Sequence, residues 1–212
     1  MKKLYLVRHG ESEGNAGLFK QDSTSPLSKN GEKQIESVAE RFKNISIDKI
    51  IASPQVRAKR TAEAIDKILN KSIEFSDLLI ERKIPSLLIG KLRNDPVCEE
   101  TDEQIYKHFH DTEWKHSDEE NFIDLKNRAI KLFKYVDTLK EENILLVTHG
   151  VFMKMVVAYA LLGEDLTSQE FWNFFIKLEM NNTGITVLKQ TQYKNEKIRW
   201  NILTWNDHAH LG

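Results

Sequence analysis

Two stretches of this 212-residue chain share one design. Leu4-Tyr5-Leu6-Val7 is an apolar run that stops at Arg8-His9-Gly10, and Ile144-Leu145-Leu146-Val147 stops at Thr148-His149-Gly150. Four successive apolar residues with no polar alternation read as a strand buried on both faces, and such strands belong to parallel sheets covered by helices. Each strand delivers an imidazole to its carboxyl end, with a glycine-containing loop behind it.

The intervening chain alternates strand and helix signals. Ser28 reads as an N-cap, since Ile35, Val38, Ala39 and Phe42 follow at helical spacing. Asp48 to Ala52 reads as a short buried strand ended by Ser53-Pro54, and a helix opens near Gln55, carrying Arg57, Arg60, Thr61 and Ala62 in its first turns. Ile73-Glu74-Phe75 reads as an edge strand. Leu78 to Glu81 then leads into an irregular stretch holding Arg82, Lys83 and Pro85. Residues 90–121 are polar and sign-mixed, and are expected to form a largely helical insertion over the sheet. Leu125, Ala129, Leu132, Phe133 and Val136 mark a long amphipathic helix. A buried helix is expected over 151–162 and final strands over 183–189 and 200–204. The expectation is a single α/β domain over 1–212: a three-layer sandwich with a mostly parallel central sheet and a small helical insertion capping the active site.

Composition narrows the function. A formal net charge of −1 supplies no long-range attraction for nucleic acid or an anionic membrane, so any anion site must be local. One cysteine, Cys98, excludes an internal disulfide. Met1-Lys2-Lys3 runs into only four apolar residues, so no signal peptide is read, and 151–162 is too short and too interrupted by Lys154 to span a bilayer. The expected setting is cytoplasmic, with no membrane or nucleic-acid partner; oligomeric state is not readable.

Ligands of doubly wound sheets bind beyond the carboxyl ends of the strands. Arg8-His9, Ser53 to Arg57, and His149 all stand at such ends. Two arginines and two imidazoles in one pocket suit a phosphoryl group: guanidinium gives always-charged bidentate donation, and imidazole is a nucleophile or donor near neutral pH. His9 is placed to attack phosphorus if a backbone carbonyl holds the proton on its other nitrogen, with Arg8, Arg57 and His149 on the equatorial oxygens. Glu81 is the candidate to protonate the leaving oxygen and then activate water.

Arg8-His9-Gly10-Glu11-Ser12, Ser53-Pro54 with Arg57-Ala58 and Thr61-Ala62, Leu79-x-Glu81, and Thr148-His149-Gly150 resemble, in order, the histidine phosphatase superfamily (phosphoglycerate mutase-like). Leu27-Ser28-x-x-Gly31-x-x-Gln34, residues 181–186 and Asn206-Asp207-x-x-His210-Leu211 extend the resemblance over nearly the whole chain. It implies His9 as the phosphorylated nucleophile and Glu81 as acid/base. Arg8, Arg57 and His149 would form the phosphate pocket, with Asn15 contributing and Thr24 as a lesser, substrate-side contributor. Neither a metal nor a cofactor is implied. The substrate would be a small phosphorylated metabolite, or several. Arg82-Lys83-Ile84-Pro85-Ser86 stands where mutases carry a Gly- and Trp-containing stretch, and Glu81 to His149 is shorter than in the glycolytic mutases. Both departures favour the phosphatase branch over a mutase that returns the phosphoryl group. A catalytically silent phospho-ligand module is the third alternative. The insertion would set substrate choice, with Arg82, Lys83, Lys91 and Arg93 as contacts.

Other features read as structural. Glu11 is expected to orient the loop and Arg60 to sit exposed or ion-paired. His108 and His110, at i and i+2, would point to different helix faces and so fail as metal ligands, while His208 and His210 would share a strand face. Asp118-Glu119-Glu120 reads as a solvated helix start.

Overall fold

The computed structural model describes residues 1–192, 194 and 196–212. Its elements are β1 (Lys3–Arg8), α1 (Glu13–Ala16), α2 (Lys29–Phe42), β2 (Lys49–Ala52), α3 (Val56–Leu69), β3 (Ile73–Phe75), α4 (Pro96–Lys107), α5 (Phe122–Thr138), β4 (Asn143–Thr148), α6 (Gly150–Leu162), α7 (Ser168–Lys177), β5 (Ile185–Thr191) and β6 (Arg199–Asp207). One six-stranded sheet runs in the order β3-β2-β4-β1-β5-β6. The pairings from β3 to β1 are parallel, and β5 and β6 add antiparallel strands. The sheet is thus mostly parallel and the architecture α/β.

Both faces are covered, as the unbroken apolar strands require. Leu4, Leu6, Ile144 and Leu146 pack with α5 and α6 through Leu125, Leu132, Phe152 and Val156. Tyr5, Val7, Leu145 and Val147 face the other way, onto Val38 and Phe42 of α2 and Ala58, Ala62 and Ile65 of α3. Alternate residues therefore serve opposite layers. No helix among the described residues is long and apolar enough to cross a membrane.

Local chemistry sets the helix boundaries. Ser28 caps α2 by accepting from the Gly31 amide at 2.9 Å, and Asn121 with Asp124 forms a reciprocal capping box on α5. Gly31 lets α2 press on the loop that follows β1: a Cβ there would lie 1.9 Å from the Glu11 carbonyl oxygen. Glu11 itself accepts from the Ser28 hydroxyl at 2.6 Å, tying loop to helix, and Arg60 pairs with Glu32 and Glu63.

The structure departs from the sequence reading in four places. Only Pro96–Lys107 of the expected insertion is helix; the chain beyond it turns. The acidic run 118–120 is not a solvated helix start. Glu119 is buried and accepts from the His116 and Ser117 amides, Asp118 binds Ser86 and Lys83, and Glu120 pairs with Arg128. Strand β5 begins at Ile185 because Thr183 adopts a left-handed φ of 58° to turn its amide onto the Arg8 carbonyl at 3.0 Å. Strand β6 ends at Asp207, so neither histidine is on a strand: His208 precedes the single-turn helix Ala209–Leu211 and His210 lies within it, with His210 Nε2 3.0 Å from Thr183 Oγ1. Helices α1 and α7 were not read from the sequence; α7 opens with a Thr167–Glu170 capping box.

Candidate active site

The site forms where three parallel strands end side by side. Arg8 is the register partner of Thr148, and the His9 amide donates to the Thr148 carbonyl at 3.0 Å, so His9 and His149 leave the sheet together. Their ring centroids lie 4.9 Å apart. On the far side of β4, the Ser53 amide donates to the Val147 carbonyl at 3.0 Å, which sets Ser53 at the end of β2 beside His149.

The two imidazoles are held differently, His9 through both ring nitrogens and His149 through one. His9 Nδ1 is 2.7 Å from the Gly10 carbonyl oxygen, an acceptor, so Nδ1 carries the proton and Nε2 keeps its lone pair. Arg57 Nε–H donates to that Nε2 at 3.2 Å, consistent with the same tautomer. His149 Nε2 is 2.9 Å from Ser53 Oγ, while its Nδ1 is buried with no partner. Burial first, then Arg57 and Arg8, push His9 well below its ordinary pKa, against the Gly10 contact that raises it. His149 is displaced the same way, by burial and then by His9 and both arginines. Both rings are therefore neutral at neutral pH, and His9 keeps a free lone pair on Nε2.

Two guanidiniums supply the positive charge. Arg57, 2 % exposed in the first turn of α3, also donates to the Asp22 carbonyl at 2.8 Å and to Gln55 Oε1 at 2.6 Å. Burial lowers its pKa to about 10, so it remains charged. Arg8 donates from one terminal nitrogen to the Met180 carbonyl, and its Nε is buried without a partner. Gly150 keeps this close packing open, since a Cβ there would lie 3.3 Å from Arg8 Nε.

Glu81 reaches the pocket after the single-turn helix Asp77–Leu79. Its carboxylate accepts from the Val151 amide at 3.2 Å and the Phe152 amide at 3.1 Å, in the first turn of α6, and from the Arg82 amide at 2.8 Å. Two unsatisfied helix-terminal amides thereby aim the carboxyl. Arg128 braces the approach, donating to the Leu78 and Ile80 carbonyls at 3.3 and 2.6 Å.

These groups open into a cavity of about 520 Å³ lined by Arg8, His9, Asn15, Arg57, Glu81, Arg82 and Lys83, with His149 beneath. Asn15 is fixed by its capping box with Ser12 and by Asn182, whose amide also donates to the His9 carbonyl at 2.9 Å. Thr24 is not brought in: its hydroxyl and amide both bond Asp22 Oδ1, at 2.8 and 2.7 Å, and Ser23 lines the cavity in its place. Lys91 is likewise absent from the lining, whereas Arg93 is present. Sequence reasoning missed Gln55, Tyr106, Lys154 and the role of Ser53. Ser53-Pro54 had marked a strand end, and a hydroxyl at that position beside a strand-end histidine was the available signal. His108 stacks on Trp114, and no group of three or more His, Cys, Asp or Glu able to hold a metal occurs among the described residues.

Residues 4–203 match the family model of the histidine phosphatase superfamily (branch 1). The chain is 29 % identical, over all of its length and 95 % of the relative's, to the Probable phosphoglycerate mutase GpmB of Salmonella arizonae. It is 27 % identical to the Putative phosphoserine phosphatase 2 of Hydrogenobacter thermophilus, over 96 % and 97 % of the two chains. Among solved structures, a mycobacterial glucosyl-3-phosphoglycerate phosphatase superposes with a TM-score of 0.80 at 22 % identity, covering 97 % of this chain and 99 % of that one. A phosphoserine phosphatase variant from Entamoeba histolytica superposes at 0.76 with 24 % identity over both whole chains. These likenesses establish the shared fold.

Proposed function

For a chain that belongs to the histidine phosphatase superfamily, branch 1, we propose hydrolysis of a small phosphomonoester through a phosphohistidine at His9. The observation that carries the reading is the fixed tautomer of His9: Nδ1 is bound to the Gly10 carbonyl while the neutral Nε2 stands between Arg57 and the His149 ring.

Substrate binding draws the Arg57 and Arg8 donors onto the phosphoryl oxygens, where charge builds in the transition state. With the Ser53 hydroxyl donating to Nε2 of His149, the proton on buried Nδ1 adds one more donor. His9 Nε2 attacks phosphorus; the N–P bond forms as the ester P–O bond breaks, and Glu81 in its acid form gives its proton to the leaving oxygen. After the alcohol departs, water attacks phosphorus and yields a proton to the Glu81 carboxylate. The N–P bond breaks, releasing inorganic phosphate and restoring neutral His9. The step uses these side chains alone, with Asn15 completing the cradle. A mutase reading rests on the name of the Salmonella relative and differs only in the fate of the phosphoryl group.

The test is phosphate release from a panel of phosphomonoesters, with 3-phosphoglycerate isomerisation assayed in parallel. Hydrolysis dominates under this proposal, and an acid-labile, base-stable phosphoryl adduct is trapped on the wild type. His9→Ala loses the adduct and at least about 10⁴-fold in rate. Rapid isomerisation without net phosphate release would replace the hydrolase with the mutase, and full activity in His9→Ala would overturn both.

A further inference from the structure

The buried face of α3 is apolar at Ala58, Ala62 and Ile65, yet it carries one hydroxyl, that of the fully buried Thr61. A hydroxyl taken away from water is costly unless it is bonded, and threonine serves a helix interior less well than alanine. The Thr61 hydroxyl is bonded twice. It donates to the Arg57 carbonyl, one turn earlier, at 2.8 Å, and accepts from the Gly10 amide at 3.1 Å. Its single hydrogen is committed to a carbonyl, so a lone pair is what receives the Gly10 amide.

These two bonds close a circuit around His9. The Gly10 carbonyl accepts from His9 Nδ1 at 2.7 Å, Arg57 Nε–H donates to His9 Nε2 at 3.2 Å, and Thr61 joins Gly10 to Arg57. Both contacts that orient the ring therefore start from residues tied to one hydroxyl. Gly10 is also wedged against α2, where an added Cβ would lie 2.9 Å from the Gly31 carbonyl oxygen and 2.8 Å from Ile35 Cγ2. Helix α2 blocks the loop from one side, and Thr61 tethers it to α3 on the other.

The circuit matters most when the Arg57 contact opens. During transfer Arg57 turns to the phosphoryl oxygens, which leaves the Nδ1–Gly10 bond to hold the ring. As the N–P bond forms at Nε2, the ring gains positive charge while its proton stays on Nδ1, so the carbonyl acceptor is worth most in the transition state. A Gly10 peptide free to turn would let the neutral ring populate its other tautomer, in which Nε2 is protonated and cannot attack.

We propose that Thr61 is a positioning residue for phosphoryl transfer: its hydroxyl pins the Gly10 peptide to α3 and thereby keeps the His9 proton on Nδ1. The inference rests on the hydrolase reading for the step it serves, whereas the tautomer is a property of the unphosphorylated protein.

Thr61→Val removes the hydroxyl at nearly constant volume, and Thr61→Ser retains it. Nitrogen-15 NMR of the His9 ring, with and without saturating inorganic phosphate, reports which nitrogen carries the proton; steady-state hydrolysis of an aryl phosphate gives kcat and KM. The wild type and Thr61→Ser keep the proton on Nδ1 throughout. In Thr61→Val the Nε2–H form appears, chiefly with phosphate bound, and kcat falls about 10- to 100-fold while KM changes less than about two-fold. A Thr61→Val protein that is merely less stable, with wild-type kcat and an unchanged ring, overturns the proposal. So does a rate loss without a change of tautomer, or one that Thr61→Ser does not recover. Should Thr61→Val fail to fold, Thr61→Ala removes the same hydroxyl with less bulk and is read by the same criteria. If the wild type releases phosphate from no ester, the hydrolase reading falls, while the ring spectra still decide whether Thr61 fixes the tautomer.

Discussion

Arg57 Nε–H donates to Nε2 of His9 across 3.2 Å, so a fixed cation is hydrogen-bonded to the very nitrogen proposed to attack phosphorus. The contact disfavours protonation of the resting imidazole, and under the proposed mechanism it is surrendered to a phosphoryl oxygen when substrate arrives. On that proposal one side chain keeps the nucleophile in its active form and then stabilises the transition state.

Replacing Arg57 by Met tests this double role. With the cation gone, the His9 pKa rises toward its ordinary value, because Arg57 is the largest depressing influence after burial. The acid limb of the kcat/KM profile moves to higher pH, and the rate falls by about 10²- to 10³-fold, the scale of losing one oriented transition-state donor. Proton NMR of the His9 ring across a pH titration reads the first effect. An unshifted ring with a reduced rate would confine Arg57 to substrate contacts.

Stability should weaken on mild acidification. His9 and His149 titrate well below their ordinary values when folded, but near pH 6.5 when the chain is unfolded. Below that pH the unfolded state takes up protons that the folded state refuses, so unfolding free energy decreases as pH falls, by up to about 1.4 kcal/mol per unit for each ring. Above pH 7 this contribution is constant. Urea unfolding at pH 7.5, 6.5 and 5.5 measures it, and a flat profile over that range would contradict the buried neutral rings.

Arg128→Met should damage catalysis from outside the cavity. Arg128 is bidentate with Glu120, at 2.9 and 2.7 Å, sits 3.9 Å from the Phe152 ring centroid, and holds the Ile80 carbonyl next to Glu81. Its loss leaves Glu120 half-buried and unpaired, at a cost of about 3 kcal/mol. Guanidinium unfolding reports that loss, and kcat falls more than KM changes, because Glu81 loses its support. A double variant with Glu120→Gln recovers part of the stability but not the rate.

Ser53→Ala should separate the two histidines' roles. Removing the hydroxyl leaves both nitrogens of His149 without a protein partner, costing about 1–3 kcal/mol, while His9 keeps its Gly10 anchor. The phosphohistidine still forms, but more slowly, by about ten-fold in rapid-quench measurement. Ser53→Thr, which retains a hydroxyl, recovers the rate. A wild-type rate in Ser53→Ala would assign His149 a packing role.

Much of this was legible in the chain because the relevant signals are local. An apolar strand cut by His-Gly, a serine cap before Ile35, and Arg57 one turn past Ser53-Pro54 each declare themselves within a few residues. What was not legible depends on partners distant in sequence. Glu119 looks solvated until the His116 and Ser117 amides fold back on it, and Thr24 looks available until Asp22 claims its hydroxyl. The start of β5 was misplaced because Thr183 answers to the Arg8 carbonyl, 175 positions upstream, and not to strand propensity. Helix α7 shows the opposite failure. Its Thr167–Glu170 box was readable, but its aromatic run of Phe171, Trp172, Phe174 and Phe175 obscures the helical period.

The position of β4 between β1 and β2 has a consequence for the order of synthesis. Neither β1 nor β2 pairs with the other; both pair in parallel with β4. A nascent chain that has emerged only as far as Asp137 exposes the inner edges of two apolar strands, and lacks the strand that would bring His9 and Ser53 to a common ring. Such edges invite pairing with other chains. The ribosome must therefore deliver some two-thirds of the sequence before the wedge arrives, which makes this interval the window in which the chain most needs a chaperone and in which His9, Ser53 and His149 are not yet together.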